Sequence, residues 1–118
     1  MKKYIISSLL IIGVTASAQD FKSPLFQVDE ELINATYYHE NGQVSQKGTF
    51  NKDGVLVGFW TSYDNEGNKL SQGYYENGIM SGKWFFWSED TLKEVDFQDS
   101  KITNVIEWDE KSEVTVNY

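Results

Sequence analysis

Residues 73–87 read Gly73-Tyr74-Tyr75-Glu76-Asn77-Gly78-Ile79-Met80-Ser81-Gly82-Lys83-Trp84-Phe85-Phe86-Trp87. The same spacing of glycines and aromatics precedes them at Gly48, Phe50, Gly54, Gly58, Trp60 and Tyr63. The offset is 25 residues from Gly48 to Gly73 and from Phe50 to Tyr75, then 24 from Gly54 to Gly78, Gly58 to Gly82 and Trp60 to Trp84. One extra residue in Asn51-Lys52-Asp53, against Glu76-Asn77, accounts for the change. Self-similarity at a fixed period is the signature of stacked supersecondary units, each too small to bury its apolar face alone.

Each unit has the rhythm of a hairpin. Runs rich in β-branched and aromatic residues alternate with short clusters of Asn, Asp, Glu and Gly, and no window after residue 18 keeps a 3.6-residue apolar period. Asn41-Gly42 and Asn77-Gly78 suit tight turns because both residue types tolerate positive φ. Asn51-Lys52-Asp53-Gly54 and Asp64-Asn65-Glu66-Gly67-Asn68 are longer equivalents. Strands are therefore expected at 33–39, 44–50, 55–63, 70–76, 79–87, 92–97 and 102–108, with a further one at 113–117. Strands joined by tight turns pair with their sequence neighbours, which predicts an all-β, elongated antiparallel meander of hairpin repeats of about 24 residues.

Beyond Ser88 the strand rhythm continues without glycines, and Val95-x-Phe97 stands where Gly73-x-Tyr75 stood. Such a degenerate unit is expected of a cap, whose outer side faces water instead of a neighbour. The domain reading is thus a repeat domain over 33–118 with a degenerate C-terminal cap, preceded by a leader and first strand region over 19–32.

The first residues, Met1-Lys2-Lys3 followed by the apolar run Tyr4 to Val14 and by Ala16-Ser17-Ala18, have the form of a secretory signal peptide over 1–18, cleaved after Ala18. Its apolar run is short for a membrane-spanning helix. With no cysteine in the chain, a lipid-modified cysteine is excluded. The expected destination is export, to a periplasm or beyond it. Cleavage takes Lys2 and Lys3 with it and moves the formal net charge from −8 to −10. There is no arginine. Repulsion from phosphate backbones and anionic headgroups then disfavours nucleic acid and anionic membranes as partners.

Tyr75, Gly78, Gly82, Trp84 and Trp87, and equally Phe50, Gly54, Gly58, Trp60 and Tyr63, stand at the Tyr-x-x-Gly turn, the Gly-x-Trp pair and the following aromatic of a MORN repeat, the membrane occupation and recognition nexus motif. The chain resembles the bacterial variant of that family over roughly residues 38–87, with Tyr38 and Gly42 similar to the tail of an earlier unit. The resemblance implies an elongated antiparallel sheet with one hairpin per unit, often with a shallow groove on one face. It also implies three functional classes: a scaffold that binds protein, a lipid-associated or antitoxin-like protein, and the nicotinate-mononucleotide adenylyltransferase label of similar short exported proteins.

The residues themselves favour the first class. A nucleotidyltransferase needs a phosphate-cradling loop that opens a helix, and basic or histidine groups for the transferred phosphate. His39 is the only histidine, and no Gly-rich loop precedes a helical pattern. Nucleophilic catalysis of the Ser-His or Cys-His type lacks a partner for His39, and zinc lacks thiolates. Asp64-Asn65-Glu66-Gly67-Asn68 has oxygen ligands but not EF-hand spacing. The acid pairs Glu30-Glu31, Glu89-Asp90 and Asp109-Glu110 read as solvated loop charge. No catalytic residue, metal or cofactor is expected. The candidate binding residues are the aromatics Trp60, Tyr63, Trp84, Phe86 and Trp87, with Gly48, Gly54, Gly58, Gly73, Gly78 and Gly82 as structural repeat glycines. A protein partner, or a second copy through the sheet edges, is the expected occupant. Alternation along 84–87 puts Trp84 and Phe86 on one face and Phe85 and Trp87 on the other.

Overall fold

Eight strands run up and down in strict chain order: β1 (Leu25–Asp29), β2 (Leu32–Tyr38), β3 (Val44–Asn51), β4 (Leu56–Tyr63), β5 (Lys69–Glu76), β6 (Ile79–Trp87), β7 (Thr91–Gln98) and β8 (Lys101–Asp109). A computed structural model describes residues 22–109. The expected signal peptide and the strand at 113–117 lie outside them. Every neighbouring pair is antiparallel, in the order β1-β2-β3-β4-β5-β6-β7-β8, so the protein is a single open meander sheet without a helix among the described residues. Seven spacings of about 4.8 Å give a sheet roughly 34 Å across its strands.

Three of the turns repeat a single design. Gly42, Gly54 and Gly67 have positive φ and donate their N–H to the carbonyls of His39, Asn51 and Asp64. The side-chain oxygens of Asn51 and Asp64 accept two backbone N–H groups each, from Asp53 and Val55 and from Glu66 and Asn68. Asn77 and Gly78 both have positive φ, as the tight two-residue turn requires. Two further turns of that kind use no glycine. Glu30, between the paired Asp29 and Leu32, has φ 60°, and Asp99 and Ser100 have φ 56° and 66°. The strand β1 and its hairpin were not delimited from the sequence because Glu30-Glu31 carries no turn signature.

The core lies on one face. Ala35, Trp60, Trp84 and Val95 are its buried apolar residues, with Trp60 and Trp84 each 4% exposed. Each indole lies flat on a glycine of the preceding strand: the ring of Trp60 covers Gly48 and that of Trp84 covers Gly73, so that a Cβ on either glycine would fall inside the ring. The indole N–H then donates to the carbonyl of the residue after the glycine, Trp60 Nε1 to Thr49 at 3.0 Å and Trp84 Nε1 to Tyr74 at 3.1 Å. At both places the ladder shifts, between Lys47 and Thr49 and between Gln72 and Tyr74. Gly58 and Gly82, with φ of 74° and 72°, form the bulged side of those shifts.

Around the two indoles a chain of edge-to-face contacts runs across the sheet. Phe50 meets Trp60 at 5.1 Å, Trp60 meets Tyr75 at 6.4 Å, Tyr75 meets Trp84 at 5.2 Å, and Trp84 meets Phe97 at 6.2 Å. Phe86 stacks beside Trp84 at 6.0 Å. The cap departs from the pattern for a visible reason. Val95 pairs with Val105 on β8, no indole arrives from that side, and a side chain is therefore permitted where the repeats need glycine.

Neighbouring hairpins are also tied through their turns. Gly78 donates to the carbonyl of Leu56 and Ser100 to that of Met80, so each turn hangs on the bulged strand of the unit before it. At the opposite end, His39 Nε2 donates to the carbonyl of Tyr63 at 2.9 Å and Asn41 Nδ2 to that of Asn65 at 2.8 Å.

Gly73→Ala is expected to cost about 3 kcal/mol in urea unfolding, because the added methyl displaces a buried indole. In a double-mutant cycle with Trp84→Leu the two losses should fall short of additive by about 1–3 kcal/mol, since the smaller side chain removes the clash. Full additivity would contradict the ring-on-backbone account.

Candidate binding face

The five aromatics singled out from sequence do not form one surface. Trp60 and Trp84, buried over Gly48 and Gly73, hold the fold and offer no ligand a ring face. Phe86 is half-buried on the same face. Tyr63 is half-buried at the end of β4, where its carbonyl receives His39. Trp87 lies on the opposite face, beside Phe85 at 5.9 Å, as alternation requires.

That opposite face has its own aromatic pair, which sequence reasoning missed. Phe59 and Tyr74 are direct partners on β4 and β5, with ring centroids 5.1 Å apart and planes at 74°. They are 67% and 41% exposed. A signal was present: each is the x of a Gly-x-aromatic triplet, and period-two alternation turns x away from whichever face the aromatic occupies.

The same position recurs at two other hairpin junctions. Beside the buried Ala35 and its partner Gly48, the pair is Asn34 and Thr49, joined by a hydrogen bond of 3.0 Å. Beside Trp84 and Val95 it is Lys83 and Asp96, an ion pair at 3.0 Å that also has Glu94 at 3.6 Å from the ammonium. The hydrogen bond donated to Asp96 first, and the charges of Asp96 and Glu94 with it, raise the Lys83 pKa. Polar, charged and aromatic pairs thus occupy one structural position. The sheet accepts any of them, and the aromatic pair is not a requirement of the fold.

Trp87 stands at the wall of two clefts. One, of about 700 Å³, lies between the turn after β4 and the end of β6, with Asp64, Lys69 and Glu89 in its lining. The other, of about 300 Å³, lies toward the turn after β6, with Leu92 and Trp108 opposite Trp87. Lys69 Nζ sits 5.7 Å from the Trp87 ring centroid, a cation–π contact. Trp108 is fixed by donation from its Nε1 to Glu94 Oε2 at 3.0 Å. Among the described residues no group of three or more His, Cys, Asp or Glu side chains is arranged to hold a metal ion.

A scan against family models and a search of curated proteins return no match to the chain.

The Asp64 carboxyl titrates below its ordinary range, chiefly because the backbone N–H of Asn68 bonds to its charged form, with smaller help from Glu66 and His39. A depressed folded pKa means that this stabilisation is present above the unfolded value, about 3.9, and is lost as pH falls through the folded one. Asn51 makes the same turn with an amide oxygen. Asp64→Asn should therefore fold normally at neutral pH and flatten the acid limb of stability, measured as the urea midpoint against pH. An unchanged acid limb would show that the carboxylate charge has no part in holding the turn.

Proposed function

We propose that the chain is a non-catalytic, exported binding module of the MORN-repeat type, which docks a partner protein on the sheet face opposite its indole core. The observation that carries this reading is the Phe59–Tyr74 pair. At a position where two other junctions have hydrogen-bonding or ionic partners, this one keeps two large rings in solvent. Exposed Tyr and Phe anchors on a rigid sheet are the ordinary means by which an interface gains affinity.

The flanking residues support the same face. Ile79 and Leu70 are 42% and 43% exposed, and Trp87 with Phe85 extends the aromatic surface toward the turn after β6. The two-unit glycine and tryptophan pattern supports membership of the repeat type, and the segment at 1–18 supports export. A docking role also agrees with the division of labour within each Gly-x-aromatic triplet, where one residue serves the core and its neighbour is left to the surface.

Phe59→Ser and Tyr74→Ser should abolish capture of a partner from envelope extract while leaving circular dichroism unaltered and lowering stability by only about 1 kcal/mol. Trp60→Ala should instead lower stability by about 3–5 kcal/mol. A partner retained by the Phe59→Ser/Tyr74→Ser protein would place the docking site elsewhere. Turnover of nicotinate mononucleotide with ATP, lost on a single substitution, would overturn the non-catalytic reading.

A further inference from the structure

The smaller cleft beside Trp87 has a composition that identifies a ligand chemistry. Two indoles, Trp87 and Trp108, and the side chain of Leu92 line it, with Glu89 and Asp90 at the solvent-exposed turn and Asp109 at the end of β8. Asp109 already has a partner within the chain, and Glu89 and Asp90 are the carboxylates exposed at the turn. No basic side chain is in the lining.

The charged groups of the lining are carboxylates, which only accept. The hydroxyls of Ser88 and Thr91, which also line the cleft, are 2.8 Å apart and bonded to each other. A neutral sugar would leave the charge of both turn carboxylates unmatched. A lysine or arginine side chain needs only an aromatic wall for its stem or head and carboxylates for its charge. On the neighbouring side the protein makes such a contact with its own Lys69, whose ammonium stands over the Trp87 ring. The formal net charge of −8 adds long-range attraction for a basic segment.

We propose that this cleft seats a lysine or arginine side chain from an extended basic segment of the partner protein. The proposal rests on the docking-face reading, since the cleft opens beside Phe85 and Trp87 on the same face, and it specifies the partner's charge. Lys69 and the partner's cation then flank a single indole, and the turn carboxylates Glu89 and Asp90 neutralise the incoming charge.

The test uses the purified full chain and a fluorescent peptide alternating lysine and serine, followed by anisotropy. Binding is expected, weakening as salt is raised, with loss on Nε-acetylation of the peptide. The Glu89→Gln/Asp90→Asn protein and the Trp87→Leu protein should each bind at least about fivefold more weakly. The charge variant alters only exposed turn residues and keeps the test valid even where Trp87→Leu fails to fold. Equal binding of the acetylated peptide, binding of a neutral glucan oligosaccharide in its place, or full affinity in the charge variant would each overturn the proposal. Absence of peptide binding in a protein that still captures its envelope partner through Phe59 and Tyr74 would overturn the cation seat alone. Failure of that capture, with the peptide bound as expected, would overturn the wider docking face and leave the seat standing.

Discussion

An indole laid flat on a glycine backbone is the contact from which the rest of this sheet follows. A single layer of strands has no second layer to bury its apolar face, so it must make a core from its own side chains. Trp60 on Gly48 and Trp84 on Gly73 do so by lying down instead of standing up, which lets one ring cover two strands. The cost would be an unpaired indole N–H, and this is met by the carbonyls of Thr49 and Tyr74 where the ladder shifts. Glycine, bulge and tryptophan are therefore one device. None of the three works without the other two: a side chain on the glycine blocks the ring, and the register shift gives the ring its room.

The device also propagates. Each ring rests on the glycine of its own hairpin, and Tyr75, in edge-to-face contact with both indoles, joins one hairpin's core to the next. The turn contacts have the same direction, with Gly78 reaching back to Leu56 and Ser100 to Met80. Stability in such an array is a sum of nearest-neighbour terms. The chain ends the series by withholding the next indole, so that Val95 and Val105 close it with ordinary cross-strand packing.

Much of this was legible in the sequence because its cause is local. The spacing of Gly48, Gly58 and Trp60 against Gly73, Gly82 and Trp84 carries the strand order, the glycine beneath each ring and the loss of the pattern in the cap. Alternation along 84–87 was enough to separate Trp84 and Phe86 from Phe85 and Trp87. The first hairpin was harder to see because Glu30 adopts positive φ with no residue type to announce it. The site was less legible than the fold. Tryptophan is the residue one chooses as an anchor, yet in this sheet Trp60 and Trp84 are consumed by the core, and Phe59 and Tyr74, at a place whose residue varies between units, are rings left exposed.

That inversion follows from how a repeat distributes constraint. A residue that recurs at the period is there because every unit needs it, and what every unit needs is packing. A residue at the same place that differs between units, Asn34 with Thr49, Phe59 with Tyr74, Lys83 with Asp96, is released from that need. Its side chain points away from the core, its neighbours on the ladder are fixed, and its chemistry changes without disturbing the sheet. The docking proposed for this sheet would thus fall to the positions where periodicity fails, on the face that the indoles do not occupy.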